Sequence, residues 1–175
     1  TIDEVGLRIA GVEVTSQNMG DVLGNQTVQV AFNAEQKQVN ITLNNANISG
    51  NFNGIQNVNG DGINCVITLV GDNHITTDSF PCITFRNSLT IQGDGSLTLV
   101  SEDGNAIEGS SYRDTMADLI ISNVNTFDVT GYSLAINIVG SMSVDNSTVY
   151  AACTGAYNAA VKATQGVSIT NSSFD

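Results

Sequence analysis

The feature that most constrains the fold is a strand-like triplet that recurs along most of the chain. The triplets lie at residues 41–43, 67–69, 89–91, 119–121, 142–144 and 167–169. Their last residues follow one another at steps of 22 to 30 residues. A self-similar period in this range is typical of solenoids, in which each coil packs only on its neighbours. The sequence therefore predicts a stack of coils.

Alignment of the triplets on their last residues reveals two further columns. The aligned residues are Leu43, Leu69, Ile91, Ile121, Val144 and Ile169. The second column is apolar and contains Ile48, Ile75, Leu97, Phe127, Val149 and Phe174. The third column is a small residue followed by a branched one, at 54–55, 82–83, 106–107, 135–136 and 160–161. Three short strands per coil are predicted, and ladders of like side chains between coils would bury their apolar sides.

A turn-forming residue stands two positions after every triplet. These residues are Asn45, Gly71, Gly93, Asn123, Asn146 and Asn171. Because Gly and Asn tolerate a left-handed backbone, the column predicts a tight corner between the first and second strands. Asp72 and Asp94 follow two of these corners at equivalent positions in the alignment. We interpret both as corner residues, since Asp is favoured in turns.

The coil pattern resembles the right-handed parallel β-helix of the pectin-lyase-like superfamily. Residues 40–48, 67–75 and 93–99 are similar to secreted gut-bacterial repeat proteins, which are often catalogued as carbohydrate-binding. The resemblance covers residues 27–175 and implies an all-β, right-handed, single-stranded parallel β-helix of about five to six coils. It also implies an extracytoplasmic bacterial protein whose partner is a polysaccharide or a host or cell-surface glycan.

The two ends of the chain differ from the repeat. Residues 1–26 do not follow it and are predicted to cap the first coil, whose apolar cross-section needs a cover. Residues 27–175 form the predicted solenoid, of which residues 166–175 complete only half a coil. We expect this sequence to be a fragment of a longer protein, or another molecule to close the half coil. A second copy would close it by end-to-end self-association.

Charge and composition limit the partners. The formal net charge is −12, from 5 basic and 17 acidic residues. This excess of carboxylates disfavours nucleic acid, whose phosphates would be repelled, and suits neutral or cation-bridged polysaccharide. No apolar run approaches the ~18 residues of a membrane span. The low content of charged residues, 13%, favours an extracytoplasmic location.

The three cysteines are predicted to be structural. Their odd number argues against a disulfide scaffold, and the absence of Cys-x-x-Cys spacing argues against a metal site. Cys82 belongs to the small column and is predicted to be buried. Cys65 precedes a strand, and Cys153 lies in the outer part of its coil.

A pair of tyrosines is the best indication of a binding site. Tyr132 and Tyr157 each stand three residues before the small column, so they are predicted to lie about 4.8 Å apart on adjacent coils. Asp103 and Ser79 occupy the equivalent positions on the two preceding coils. A tyrosine ring combines a flat apolar face with a hydroxyl group, so it can stack on a sugar ring and hydrogen-bond to it. The pattern therefore predicts a glycan-binding surface at Tyr132, Tyr157 and Asp103. The alternative is a stacked aromatic ladder that only stabilises the coils.

An acidic group brackets the longest outer loop, residues 108–117. Its members are Glu102, Asp103, Asp114 and Asp118. Converging oxygen ligands would bind calcium, but the chain has no Asp-x-Asp-x-Asp loop, so solvated acids are the preferred interpretation. We therefore predict that the protein has no cofactor. Calcium is the alternative, and these four acids are its candidate ligands.

No catalytic constellation is predicted. Lyases of the family that the chain resembles use calcium-binding acids and a basic residue, yet Arg86, Arg113 and Lys162 lie near no in-register cluster of aspartates. His74 is predicted to face solvent and to have no partner in register. We therefore expect a non-catalytic, extracytoplasmic glycan-binding or adhesive module. The alternatives are a fragment of a polysaccharide lyase or hydrolase whose active coils lie outside this sequence, and a purely structural surface stalk.

Overall fold

Three parallel sheets run along the molecule, because each coil contributes one short strand to each sheet. The computed structural model describes residues 1–57, 62–113, 115–156 and 159–175. The chain is a parallel β-solenoid of about five turns, with 52% of its residues in strands and no α-helix among the residues described. The all-β solenoid that the repeat predicts is therefore confirmed.

The strands are numbered along the chain, and each sheet follows the order of the coils. Sheet I contains β3 (Val28–Asn33), β4 (Gln38–Asn44), β7 (Asn64–Val70), β10 (Leu89–Gln92), β13 (Leu119–Ser122), β16 (Met142–Asp145) and β19 (Val167–Thr170). Sheet II contains β5 (Asn47–Gly50), β8 (Asp72–Thr77), β11 (Ser96–Ser101), β14 (Thr126–Gly131), β17 (Thr148–Cys153) and β20 (Ser173–Phe174). Sheet III contains β1 (Leu7–Ile9), β2 (Val12–Glu13), β6 (Ile55–Asn57), β9 (Ile83–Phe85), β12 (Ile107–Gly109), β15 (Ile136–Ile138) and β18 (Val161–Ala163).

The N-terminal segment joins the sheets with antiparallel strands. A single 3₁₀ turn (Ile2–Glu4) precedes β1, which pairs antiparallel with β6 and buries Leu7 and Ile9. Strand β2 pairs antiparallel with β1, and β3 forms an antiparallel hairpin with β4. The segment thus extends sheet III beyond the first coil. A capping function for residues 1–26 stays a prediction.

The column of small and branched residues is confirmed. Ile55 pairs with Ile83, Ile83 with Ile107, Ile107 with Ile136, and Ile136 with Val161. The small residues before them lie at the bend into sheet III, and Cys82, Ala106 and Ala135 have no exposed surface. A Cβ at Gly54 would lie 2.6 Å from the carbonyl oxygen of Cys82. Neighbouring coils therefore approach so closely here that only small side chains fit.

The alignment of the other two columns is wrong by two residues between the second and third coils. Ile91 pairs with Ile67 rather than Leu69, and Leu97 pairs with Asn73 rather than Ile75. The two coils have the same length here, because Gln92 pairs with Thr68 and Ser96 pairs with Asp72. Strand β7 continues for two residues past the pairing with Gln92, so the left-handed glycine lies at Gly71 in the second coil and two positions earlier in register, at Gly93, in the third. A shift of two leaves every side chain on its own face of the sheet, so the apolar pattern did not reveal it. Asp72 consequently pairs with Ser96, and Asp72 and Asp94 are not equivalent.

The left-handed corners are confirmed. The backbone φ angle is positive at all six predicted positions, from 46° at Asn146 to 104° at Gly93. The Asn146 side chain donates a hydrogen bond of 2.8 Å to Oδ1 of Asn123 on the preceding coil. The corner column therefore supplies both the backbone conformation and a side-chain contact along the stack.

The inward-facing position at the start of sheet II in the second coil is polar. Asn73 is fully buried, and it lies in register with Leu97 at the start of sheet II. Its Oδ1 accepts a hydrogen bond of 2.8 Å from the Ala46 backbone, and its Nδ2 donates to the carbonyl oxygens of Val70 and Ser96. Because both ends of the amide are hydrogen-bonded, its burial avoids the cost of an unsatisfied polar group.

The last strands leave apolar side chains exposed. Val167 and Ile169 pair with the buried residues Met142 and Val144, yet they are 50% and 46% exposed. End-to-end self-association through this surface stays a prediction.

Replacement of Ala106 by Leu tests the packing of the small column. Ala106 is fully buried at the close approach of the coils, so a larger side chain should lower the free energy of unfolding by about 1–3 kcal/mol. Urea denaturation would measure the change. Ala152→Leu is the matched control, because Ala152 is exposed on β17 and should tolerate the change. Equal stability of the two variants would contradict the packing described.

Two replacements of Asn146 test the left-handed corner. Both Asn146→Ala and Asn146→Gly remove the hydrogen bond to Asn123, but only Ala retains a Cβ at a φ of 46°. The Ala variant should therefore be less stable than the Gly variant by roughly 1 kcal/mol. Thermal denaturation of both variants measures the difference. Equal melting temperatures would show that the corner relaxes to another conformation.

Candidate functional site

The outer face of sheet III carries a continuous row of polar side chains. Each side chain is paired in register with the next, from Gln56 through Thr84, Glu108 and Asn137 to Lys162. Arg8 of β1 extends the row beyond Gln56. Adjacent strands lie about 4.8 Å apart, so the row presents a hydrogen-bonding group at each step along the solenoid axis.

Two adjoining hollows, lined by the row members Gln56, Thr84 and Glu108 among others, form what we call the sheet III groove. The larger hollow, about 460 Å³, is lined by Ser79, Pro81, Gly104, Asn105, Glu108, Ser133, Leu134 and Ala159. The smaller hollow, about 250 Å³, is lined by Asn53, Gln56, Asn57, Pro81, Thr84, Phe85, Arg86, Glu108 and Ser110. The hollows share Pro81 and Glu108, so the groove runs across the coils rather than along one of them.

Buried hydroxyl groups hold the wall of the groove in place. Thr77 and Ser101 are buried, and the hydroxyl of each donates a hydrogen bond to the carbonyl oxygen of Phe80. In the larger hollow, the Leu134 backbone N–H donates to Oδ1 of Asn105 at 3.1 Å. These bonds join three neighbouring coils, so the groove lies on a rigid part of the fold rather than on a free loop.

Two exposed aromatic residues are next in sequence to residues that line the larger hollow. Tyr132 is 44% exposed and immediately precedes the lining residue Ser133, while Phe80 is 42% exposed and precedes Pro81. The Tyr132 backbone bonds Gly104 on one side and Gly155 on the other, each at 2.8 Å. A Cβ at Gly155 would lie 3.3 Å from the Tyr132 ring, so the glycine leaves room for the ring. Tyr157 lies outside the described residues, and its stacking on Tyr132 stays a prediction.

The predicted acidic residues lie at two different bends of the coil. Glu102 and Asp103 are exposed at the bend from sheet II to sheet III, two residues and one residue before the lining residue Gly104. Asp118 lies at the bend from sheet III to sheet I, where its carboxylate accepts two hydrogen bonds from Ser141. Asp114 lies outside the described residues. Within the described part of the chain, no three His, Cys, Asp or Glu side chains form a group that could hold a metal ion.

An arginine that lines the smaller hollow lies against a tyrosine ring. Arg86 lines the hollow, and its guanidinium carbon lies 5.7 Å from the centre of the Tyr112 ring. Arg113 lies 5.2 Å from the same ring. Tyr112 and Arg113 belong to the link that joins β12 to β13, residues 110–118. The long outer loop of the third coil, predicted from the repeat, therefore supplies a support for Arg86.

The polar row and Arg86 were not predicted as site residues, although the sequence contained a signal for the row. Each row member follows the branched residue of the third column by one position, at Gln56, Thr84, Glu108, Asn137 and Lys162. All five are polar, which period-two alternation places outside. No such signal existed for Arg86, because its contact with Tyr112 depends on how the loop folds.

The remaining candidate groups lie away from the groove. His74 faces solvent as predicted, but it does have a partner: its Nε2 lies 3.0 Å from the Asp72 carboxylate, two residues earlier on the same face of β8. Cys82 is buried as predicted. Cys65 lies within β7 and is also buried, rather than preceding the strand. Cys153 is half-buried at the end of β17.

Comparison of the chain with protein-family models, curated proteins and solved structures finds no match. The class of protein is therefore defined by the fold, a parallel β-solenoid with a polar groove on one face. Among the residues described, no helix is long and apolar enough to cross a membrane.

The buried thiols predict a decrease in stability at alkaline pH. Burial raises the pKa of Cys65 to about 12 and that of Cys82 to about 11, whereas an unfolded thiol loses its proton near pH 9. Their contribution to stability is present below about pH 9 and is lost as the pH rises toward 11, because only the unfolded chain releases the protons. Urea denaturation between pH 8 and about 10.5 would measure this loss.

The control for this experiment is the double variant Cys65→Ala and Cys82→Ala. At Cys82, Ala matches Ala106 and Ala135, which occupy equivalent positions of the small column, and at Cys65 it removes only the sulfur atom. All other ionisable side chains are the same in both proteins. An identical pH profile for the two proteins would show that the thiols do not contribute.

Proposed function

We propose that the chain is a non-catalytic, glycan-binding or adhesive module that holds an extended polysaccharide in the sheet III groove. The observation that carries the proposal is a groove whose lining residues come from five successive coils, with the exposed residues Phe80 and Tyr132 next in sequence to lining residues of its larger hollow. A linear glycan offers hydroxyl groups at regular intervals, which matches a row of hydrogen-bonding side chains at regular spacing. The groove thus suits a chain laid along the solenoid axis.

The chemistry of the groove supports a sugar ligand over other polymers. Sugar rings have apolar faces and polar edges, and Tyr132 and Phe80 offer exposed rings next to the lining residues. Glu108, Asn105 and Gln56 offer acceptors and donors for hydroxyl groups. The net charge of −12 opposes the phosphates of nucleic acid.

We infer that the protein is extracytoplasmic and bacterial, with a host or cell-surface glycan as its partner. This inference is supported by the low content of charged residues and by the resemblance of the repeat to gut-bacterial carbohydrate-binding proteins. We also infer that the coil is right-handed and of the pectin-lyase-like type. The three-strand repeat with asparagine corners supports that part of the proposal.

Replacement of Tyr132 tests the proposal. A glycan array would first select ligands, and calorimetry would then compare the protein with Tyr132→Ala and Tyr150→Ala. Loss of the Tyr132 ring should weaken binding by about 0.5–1.5 kcal/mol, the usual scale of an aromatic contact. Tyr150 is the matched control, because it is also 44% exposed but lies on sheet II, away from the groove.

The outcomes distinguish the three functions considered. Retention of a glycan that depends on Tyr132 and not on Tyr150 supports the binding module. No glycan retained by the protein, together with a lower melting temperature of Tyr132→Ala, favours a structural stalk. Ultraviolet absorbance of an unsaturated uronide product would show a lyase and overturn the non-catalytic proposal.

A further inference from the structure

The basic side chains are concentrated around the sheet III groove. Of the 5 basic residues, Arg8 and Lys162 lie at the two ends of the polar row, and Arg86 lines the smaller hollow. Arg113 and Arg86 both make a cation–π contact with the Tyr112 ring. The fifth, Lys37, lies in the turn between β3 and β4. On a protein of net charge −12, this face is thus the place where an anionic group would meet the least repulsion.

Arg86 is positioned and available for a ligand. Stacking on an aromatic ring orients a guanidinium group. Its N–H donors lie in the plane of the group, so they stay free to hydrogen-bond to a ligand at its edge. Glu108 lines the same hollow, but the ion pairs found in the described part of the chain are Thr1–Glu4 and His74–Asp72. No described carboxylate therefore lies within 4.0 Å of Arg86. Its charge is not neutralised by Glu108.

We propose that the smaller hollow is a subsite for a sulfate ester carried by the bound glycan. Arg86 would donate two parallel hydrogen bonds to two sulfate oxygens, and the hydroxyl groups of Thr84 and Ser110, which line the same hollow, are donors for the third. This subsite rests on the proposed function, because it recognises a substituent of the same ligand.

Isolated sulfate groups fit the groove better than a carboxylate on every sugar. A polyuronate would place negative charges along the whole groove, including over Glu108 at its centre. A sparsely sulfated neutral glycan places its charge at Arg86 and leaves Glu108 to accept hydrogen bonds from hydroxyl groups. A carboxylate has only two oxygens, which the arginine fork alone would satisfy.

Calorimetry with matched oligosaccharides tests the subsite. The probes are a sulfated galactan oligosaccharide, the same oligosaccharide after desulfation, and an oligogalacturonate of equal length. The sulfated probe should bind about tenfold more tightly than the desulfated one, the scale of hydrogen bonds to a charged group. The preference should shrink at about 1 M salt, where charges are screened within about 3 Å.

Variants assign the preference to Arg86. Arg86→Gln should abolish the preference, measured as the ratio of the affinities for the sulfated and desulfated probes, and Arg86→Lys should retain only part of it, because the planar guanidinium is lost. Tyr112→Leu should reduce the preference and Tyr112→Phe should retain it, since the ring positions Arg86. Lys37→Gln is the matched control, because it changes the net charge equally and lies away from the groove.

Equal binding of the sulfated and desulfated probes, or tighter binding of the oligogalacturonate, would overturn the sulfate subsite and leave the glycan-binding function standing. A preference that survives Arg86→Gln would overturn the assignment to Arg86. Failure of every glycan to bind would instead refute the proposed function. The two proposals therefore fail in distinguishable ways.

Discussion

The hydrogen-bond ladders between successive coils are the constraint on which the rest of the structure depends. A strand of three residues, such as β9 or β12, has no stability of its own and is held only by the strands beside it. The ladders keep the coils in register, so the inward side chains stack on like side chains and bury a continuous core. Every other feature, from the corners to the groove, repeats at the spacing that the ladders impose.

The corners and the small column meet two geometric requirements of the ladders, a sharp turn between sheets and a close approach of neighbouring coils. A coil must turn sharply between sheets, and asparagine or glycine in the left-handed conformation achieves this between sheets I and II. At the bend into sheet III, small residues such as Ala106 let the backbones of neighbouring coils approach. Differences between coils are accommodated outside the core: the third coil moves the left-handed glycine of one corner by two positions and links β12 to β13 through residues 110–118, and the sheets continue in register past both.

The same regularity gives the sheet III groove its chemical character. The third strand of each coil places one side chain outward, in register with the outward side chain of the next coil. Polar residues that are far apart in the sequence therefore form a row. The row alone would be a flat surface. Pro81 at the bend into sheet III and Ser110 after β12 line the groove together with members of the row, and Tyr112 of the loop after β12 lies against the lining residue Arg86. Binding in such a groove needs no moving part, because buried hydroxyl groups already hold its wall.

The sequence by itself determined the solenoid, the three strands per coil, the left-handed corners and the burial of Ala106 and Cys82, because these depend on patterns that recur with each coil. It did not determine the pairing of Ile67 with Ile91, since a shift of two residues leaves the apolar pattern unchanged. It also contained the alternation that places Glu108 on the outer face of sheet III, but no signal for Arg86. Only the tertiary structure decided that Glu108 and Arg86 line one groove, because residues about 25 positions apart meet between coils and a loop conformation places Tyr112 against Arg86.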